Sequence, residues 1–182
     1  MKPNKRNAGP LVAMSALLAT WPAFADTRAE IDAGVSAALE QFYAQNPSNR
    51  DLVAKSAAVL VFPRVTKGGA GIAAAYGEGA LVEHGQTVAY YKMTSGSVGV
   101  TVGVAQRREV VLFMTDAARD QFVNSKGWTI GADTGVALVS KGAGGDYDTE
   151  TLRKPILAFV FGEKGLIADA SIQGTKVTKL RA

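Results

Sequence analysis

The segment Lys67–Leu81, KGGAGIAAAYGEGAL, comes nearer to a known chemical device than any other stretch of this sequence. Gly69, Gly71 and Ala74 stand at the spacing of a dinucleotide-binding fingerprint, in which glycines let the backbone close on a pyrophosphate at the start of a helix. That chemistry needs a strand, a tight turn and then a helix. Here Gly77 and Gly79 interrupt any helix, and the small residues Gly69, Gly71, Ala73, Ala75, Gly77 and Gly79 alternate with the larger Ile72, Tyr76 and Glu78. A period of two belongs to an extended strand, whose side chains point to its two faces in turn. The segment is therefore expected to be a strand with one bare face, and no cofactor is expected.

The other reactive residue types are sparse. His84 is the only histidine and sits beside Gly85 in the turn-like EHGQ (Glu83–Gln86). It reads as a solvated turn residue, since a base or a metal ligand needs partners at a recognisable spacing. There is no Gly-x-Ser-x-Gly elbow and no His-Glu-x-x-His helix, and the absence of cysteine excludes thiol catalysis and disulfides. Asp146, Asp148 and Glu150 in GGDYDTE lack the full calcium-loop pattern and read as an acidic surface loop, so no metal is expected. No residue set argues for a reaction, and the chain is expected not to be an enzyme. One constellation remains: the basic residues Arg64, Lys67, Arg107, Arg108 and Lys126, with Trp128 near in sequence, fall at the edges of expected strands or helices. Singly each is ordinary solvated charge. Together they are candidates for a lipid-binding rim facing a headgroup.

The elements that would position this rim follow from patterning. Lys2, Lys5 and Arg6 precede an apolar run from Leu11 to Trp21 and then Ala23-Phe24-Ala25, the layout of a cleavable export signal over residues 1–25. Residues 26–182 then form a single domain, with helices over 26–53 and mainly strands over 54–182. Without the leader, the formal charge of +4 falls to 17 basic against 16 acidic residues, too balanced to suggest a nucleic-acid partner. Ile31, Val35, Leu39 and Phe42 lie on one stripe of a helix over Thr27–Gln45, and a second short helix begins near Ser48 or Asn49. AVLVF (Ala58–Phe62) is a buried strand stopped by Pro63. The Gly/Ala strand, TVAYYKM (Thr87–Met93) and SGSVGVTVGVA (Ser95–Ala105) follow as an antiparallel meander, and VVLFM (Val110–Met114) is a further apolar strand. In Ser95–Ala105 the valines at 98, 100, 102 and 104 share one parity and small residues the other, a second bare face. A helix is expected over roughly 116–124, capped by Thr115 or Asp116 and stopped at Gly127. Strands resume with WTIG, GVALVS, ILAFVF and GLIADASIQGTKVTKL.

Four blocks, VLVFPRVTKGGAGIAAAYGEGALV, GVTVGVAQRREVVLFMTDAARDQF, GWTIGADTGVALV and KPILAFVFGEKGLIADASIQGTKV, resemble the SYLF domain and cover nearly all of Ala54 to Leu180. Members of that family include bacterial exported proteins and eukaryotic endocytic, actin-associated proteins that bind phosphoinositide-rich membranes. The resemblance implies lipid binding, with an amphipathic N-terminal helix contributing to membrane contact in the eukaryotic relatives. Here that helix carries Glu30, Asp32 and Glu40 against Arg28, whereas a helix drawn to anionic lipid has a lysine- and arginine-rich polar face. The bare faces point the same way, because an acyl chain could cover them, at roughly 0.8 kcal/mol per buried methylene. The N-terminal helix could also cover them, or act as a lid over a groove.

The expected fold is α+β, with N-terminal helices packed on a largely antiparallel curved sheet or partial barrel and one inserted helix near 116–124. The expected function is non-enzymatic binding of phospholipid or a membrane surface in the bacterial cell envelope, the protein being periplasmic or envelope-associated and not a Cys-anchored lipoprotein. The other reading is an envelope protein-interaction or structural module that docks on a protein partner through an edge strand or the N-terminal helix.

Overall fold

A computed structural model of the protein describes residues 26–131, 134–139, 147–162, 165–167, 172 and 174–181; the expected leader and Asp146 lie outside them. The chain runs α1 (Arg28–Gln45), α2 (Ser48–Lys55), β1 (Ala58–Glu83), β2 (Gln86–Phe113), α3 (Asp116–Val123), β3 (Trp128–Thr129), β4 (Val136–Leu138), α4 (Thr149–Leu152), β5 (Ile156–Gly162), β6 (Gly165–Leu166) and β7 (Lys176–Lys179). The strands form one seven-stranded curved sheet in the order β3-β7-β2-β5-β4, with β1 on β2 and β6 on β5. Every pairing is antiparallel except β4 with β5. This is the expected α+β architecture, a partial barrel with two helices before it.

Helix α1 starts where Thr27 and Glu30 cap each other. The Thr27 hydroxyl accepts from the Glu30 N–H at 3.3 Å, and the Glu30 carboxylate accepts from the Thr27 N–H at 2.7 Å. Those Thr27 bonds hold the Glu30 carboxyl below its ordinary range. The expected stripe is the buried one: Ile31, Val35, Ala38 and Phe42 are covered, and Leu39 packs at their margin. They lie on one face of the sheet against Val59, Val61, Ala80, Val110, Leu112, Phe159 and Phe161, with the Phe42 ring edge-on to Phe159 at 4.8 Å. A second core fills the other face with Leu60, Phe62, Val65, Leu81, Tyr91, Met93, Phe113, Phe122 and Trp128. AVLVF is apolar throughout because its alternate residues enter different cores. Asn49, fully buried, ties α2 in place: its Nδ2 donates to the Phe42 carbonyl at 2.6 Å and its Oδ1 accepts from the Tyr147 hydroxyl at 2.7 Å.

The meander is replaced by something simpler. AVLVF and the Gly/Ala strand are one strand, and the three segments expected between Thr87 and Met114 are another. Pro63 does not stop β1, because the register jumps from Phe62↔Glu109 to Val65↔Arg107, which leaves Pro63 and Arg64 together opposite Arg108. Such a bulge has no ladder bond for proline to break. His84 and Gly85 join the strands with φ of 51° and 78°, the two-residue turn that EHGQ leads one to expect. Helix α3 follows the expected pattern, its Thr115 hydroxyl accepting from the Ala118 N–H at 3.2 Å. In GLIADASIQGTKVTKL the strands among the described residues are β6 and β7.

The bare face of β1 points inward. Ala73, Ala75, Gly77 and Gly79 are buried, whereas Ile72 and Tyr76 of the opposite parity are exposed. What lies against the bare face is the first half of the same strand. A Cβ at Gly79 would overlap the Val61 carbonyl oxygen and stand 2.7 Å from Phe62 Cδ1, and one at Gly77 would stand 2.8 Å from the Arg64 carbonyl oxygen. At Gly69 it would overlap Ile72 and Ala73, where the strand reverses. Neither the N-terminal helix nor an acyl chain occupies the inward side of Gly77 and Gly79, because backbone already fills it. Gly79→Ala should therefore lower unfolding stability in urea by about 2–4 kcal/mol, while Gly96→Ala, whose methyl meets nothing within 4 Å, should change it by less than about 0.5 kcal/mol.

Candidate functional site

The bulge that accommodates Pro63 also turns Arg64 out of the ladder and sets it opposite Arg108. The first turns of α1 ride close to the same point: a Cβ at Gly34 would stand 3.0 Å from the Pro63 ring. Between helix and bulge lies a surface cavity of about 290 Å³, lined by Asp26, Glu30, Gly34 and Ala37 on one side and by Pro63, Arg64, Gln106, Arg107 and Arg108 on the other. Three of the six expected rim residues are thus brought together. Lys67 follows three positions beyond Arg64, opposite Ala105.

The three arginines are not equivalent. Arg107 Nε and Nη2 both donate to Glu109 Oε1, at 2.8 and 2.7 Å. Glu109 is only 2% exposed, and burial pushes its carboxyl up while Arg107 opposes that shift. Arg107 is therefore committed to neutralising a buried charge. Arg64 and Arg108 have no carboxylate within ion-pair distance among the described residues, although Glu30 is close enough to Arg64 for its carboxyl to respond to it. Two guanidinium groups beside an open cavity are suited to a phosphate ester, which accepts paired N–H bonds.

Beyond the arginines the paired strands bend. Over residues 63–77 and 94–108, which flank the bend on both strands, the charged residues are Arg64, Lys67, Arg107 and Arg108, with no acid among them. Three large side chains there face water: Ile72 is 72% exposed, Val104 75% and Tyr76 47%. Large residues are outside because the small ones are needed inside. The opposite end of the hairpin is acidic in character, with Glu83, Asp116 and Asp120 gathered around Arg119.

Lys126 and Trp128 lie elsewhere. Lys126 is exposed in the loop between α3 and β3, at the sheet edge formed by β3. Trp128, 6% exposed, is a core residue, edge-on to Phe122 at 5.2 Å and 6.0 Å from the Phe113 ring. It does not present its ring to a ligand. His84 is exposed at the tip of the turn. Among the described residues no group of three or more His, Asp or Glu side chains gathers to hold a metal, and no helix is long and apolar enough to cross a membrane.

A family model described as Ysc84, Las17-binding protein actin regulator, matches residues 94–181. Over those residues, a little under half of the chain, the sequence is similar to that family, in keeping with the resemblance to the SYLF domain. The match takes in the β2 side of the bend, with Val104, Arg107 and Arg108, while Arg64, Lys67 and Ile72 lie before it. No curated protein matches the chain.

The Arg107–Glu109 pair yields a test. Arg107→Ala leaves a buried carboxylate unpaired and should cost about 3–5 kcal/mol at neutral pH. Because burial raises the Glu109 carboxyl, the folded state binds its proton more tightly than the unfolded state does. The loss should therefore shrink as pH falls from the raised folded value towards the ordinary carboxylate range. Adding Glu109→Gln should restore most of the stability at pH 7, as read by denaturant unfolding.

Proposed function

We propose that this chain is a non-enzymatic phospholipid-binding protein of the bacterial cell envelope, exported by residues 1–25 and engaging a membrane surface with the bend of its long hairpin. The observation that carries this reading is the coincidence of exposed Ile72 and Val104 with Arg64, Lys67 and Arg108, which have no ion-pair partner among the described residues. Apolar side chains that enter the headgroup region gain by burial, and guanidinium and ammonium groups beside them meet lipid phosphates. Arg64 and Arg108 at their cavity are the headgroup ligands, and Arg107 is a structural support for them. Phosphoinositide selectivity is not part of the proposal, since the polar face of α1 carries Glu30, Asp32 and Glu40. The family description names an actin regulator, a role that an envelope location would leave without its partner.

Flotation of the mature protein with vesicles should give binding to anionic compositions that falls as salt rises. Arg64→Ala with Arg108→Ala should weaken binding to anionic vesicles by about 5-fold per charge, at roughly 1 kcal/mol each. Ile72→Asp should weaken binding to every composition. Failure to bind any composition at low salt would sink the reading. Native mass spectrometry of gently purified protein would then be decisive for the other candidate, an envelope protein-interaction module, which requires a stoichiometric protein partner and no lipid.

A further inference from the structure

Glu78 belongs to the outward parity of β1, yet it is only 7% exposed. Each of its carboxylate oxygens has one donor: the Tyr76 hydroxyl at 2.5 Å on Oε1, and the backbone nitrogen of Asp26 at 3.0 Å on Oε2. Among the described residues no lysine or arginine lies within ion-pair distance of it. Burial, and then the bond to Glu78, pushes the Tyr76 hydroxyl up to about 12, so it stays a donor at neutral pH. A carboxylate this deeply placed is costly unless its partners are strong, and one partner here is a peptide N–H from a residue distant in sequence. Asp26 immediately precedes the capping Thr27, and a cavity of about 200 Å³ lined by Asp26, Arg28, Glu78, Tyr90 and Arg181 opens beside the bond.

Asp26 also follows Ala23-Phe24-Ala25, the small-x-small pattern at which export leaders are cut. Hydrolysis of the Ala25–Asp26 amide by an export-processing peptidase consumes one water, leaving a carboxylate on Ala25 and an amine on Asp26. That amine, with an ordinary pKa of about 8, takes up a proton at neutral pH. We propose that Glu78 is the receptor for this new α-ammonium, so that processing replaces a neutral peptide donor to this carboxylate by a cationic one, making a part-buried ion pair that fastens the start of α1 to β1 more firmly in the mature chain. The ammonium adds a full positive charge to a bond in which only the carboxylate was ionised. The proposal rests on the reading that residues 1–25 are an export leader, but it needs no lipid, so it stands or falls independently of membrane binding.

Intact mass and N-terminal sequencing of the exported protein should give Asp26 as the first residue. Acetylating that α-amine should lower the melting temperature by about 2–8 °C, the range for a domain of this size losing one to two kcal/mol. In the Glu78→Gln background the same acetylation should shift it by less than about 1 °C. A chain that retains Ala25 moves the ammonium by one residue with Glu78 intact, and should melt lower by a similar amount. This variant keeps the test sharp should Glu78→Gln fold poorly. A different first residue, an acetylation effect equal in both backgrounds, or an unchanged melting temperature for the Ala25 chain would each overturn the proposal.

Discussion

The return of β1 alongside itself is the constraint on which the rest of the molecule depends. Two halves of one strand can approach this closely only if the residues between them lack side chains, and Gly77 and Gly79 meet backbone atoms where any Cβ would stand. That approach sets the curvature of the sheet and brings Val59, Val61 and Ala80 onto one surface under α1. It also decides what the outside looks like. A strand of period two with its small residues committed inward must carry Ile72 and Tyr76 outward, whatever solvent prefers.

Charge follows the same geometry. The bulge at Pro63 and Arg64 is at once the bend's entry and the floor of the arginine cavity, so a backbone irregularity gives Arg64 its direction. Glu109 beneath it is satisfied by Arg107, which leaves the neighbouring guanidinium groups to face the cavity. A site of this kind combines rigid support with exposed chemistry: the ion pair is buried and specific, and the headgroup-facing charges are open to water.

Much of this was legible in residue order, and the failures have physical reasons. Periodicity located α1, the α3 region, the turn at His84–Gly85 and the two-fold alternation of Lys67–Leu81, because each is a local property of neighbouring residues. The merging of separate strands into β1 and β2 was not legible, since Pro63 ordinarily ends a strand and only the pairing with Arg108 shows that it sits in a bulge. The bare face was read correctly as requiring a cover, but its occupant is set by a long-range return of the chain that no spacing reveals. Trp128 looked like an interfacial aromatic beside Lys126 and proved to be core, because Phe113 and Phe122 reach it from distant positions. Asn49 was legible as a candidate start of the second helix, but its buried role, set by the Phe42 carbonyl and the Tyr147 hydroxyl, was not.

The hairpin formed by β1 and β2 also has a kinetic meaning. Its ladder begins at Glu83 and Gln86 beside a two-residue turn and runs to Ala58 and Phe113 at the far ends of the same strands. Each pair laid down shortens the loop that the next must close, so ordering can spread outward from His84–Gly85 without a large entropic step. Strand β5 joins only at Arg108–Phe113, the portion that zips last, which makes it a late arrival. A chain assembled in this order nucleates at an exposed turn and completes its core from the far ends of the two strands.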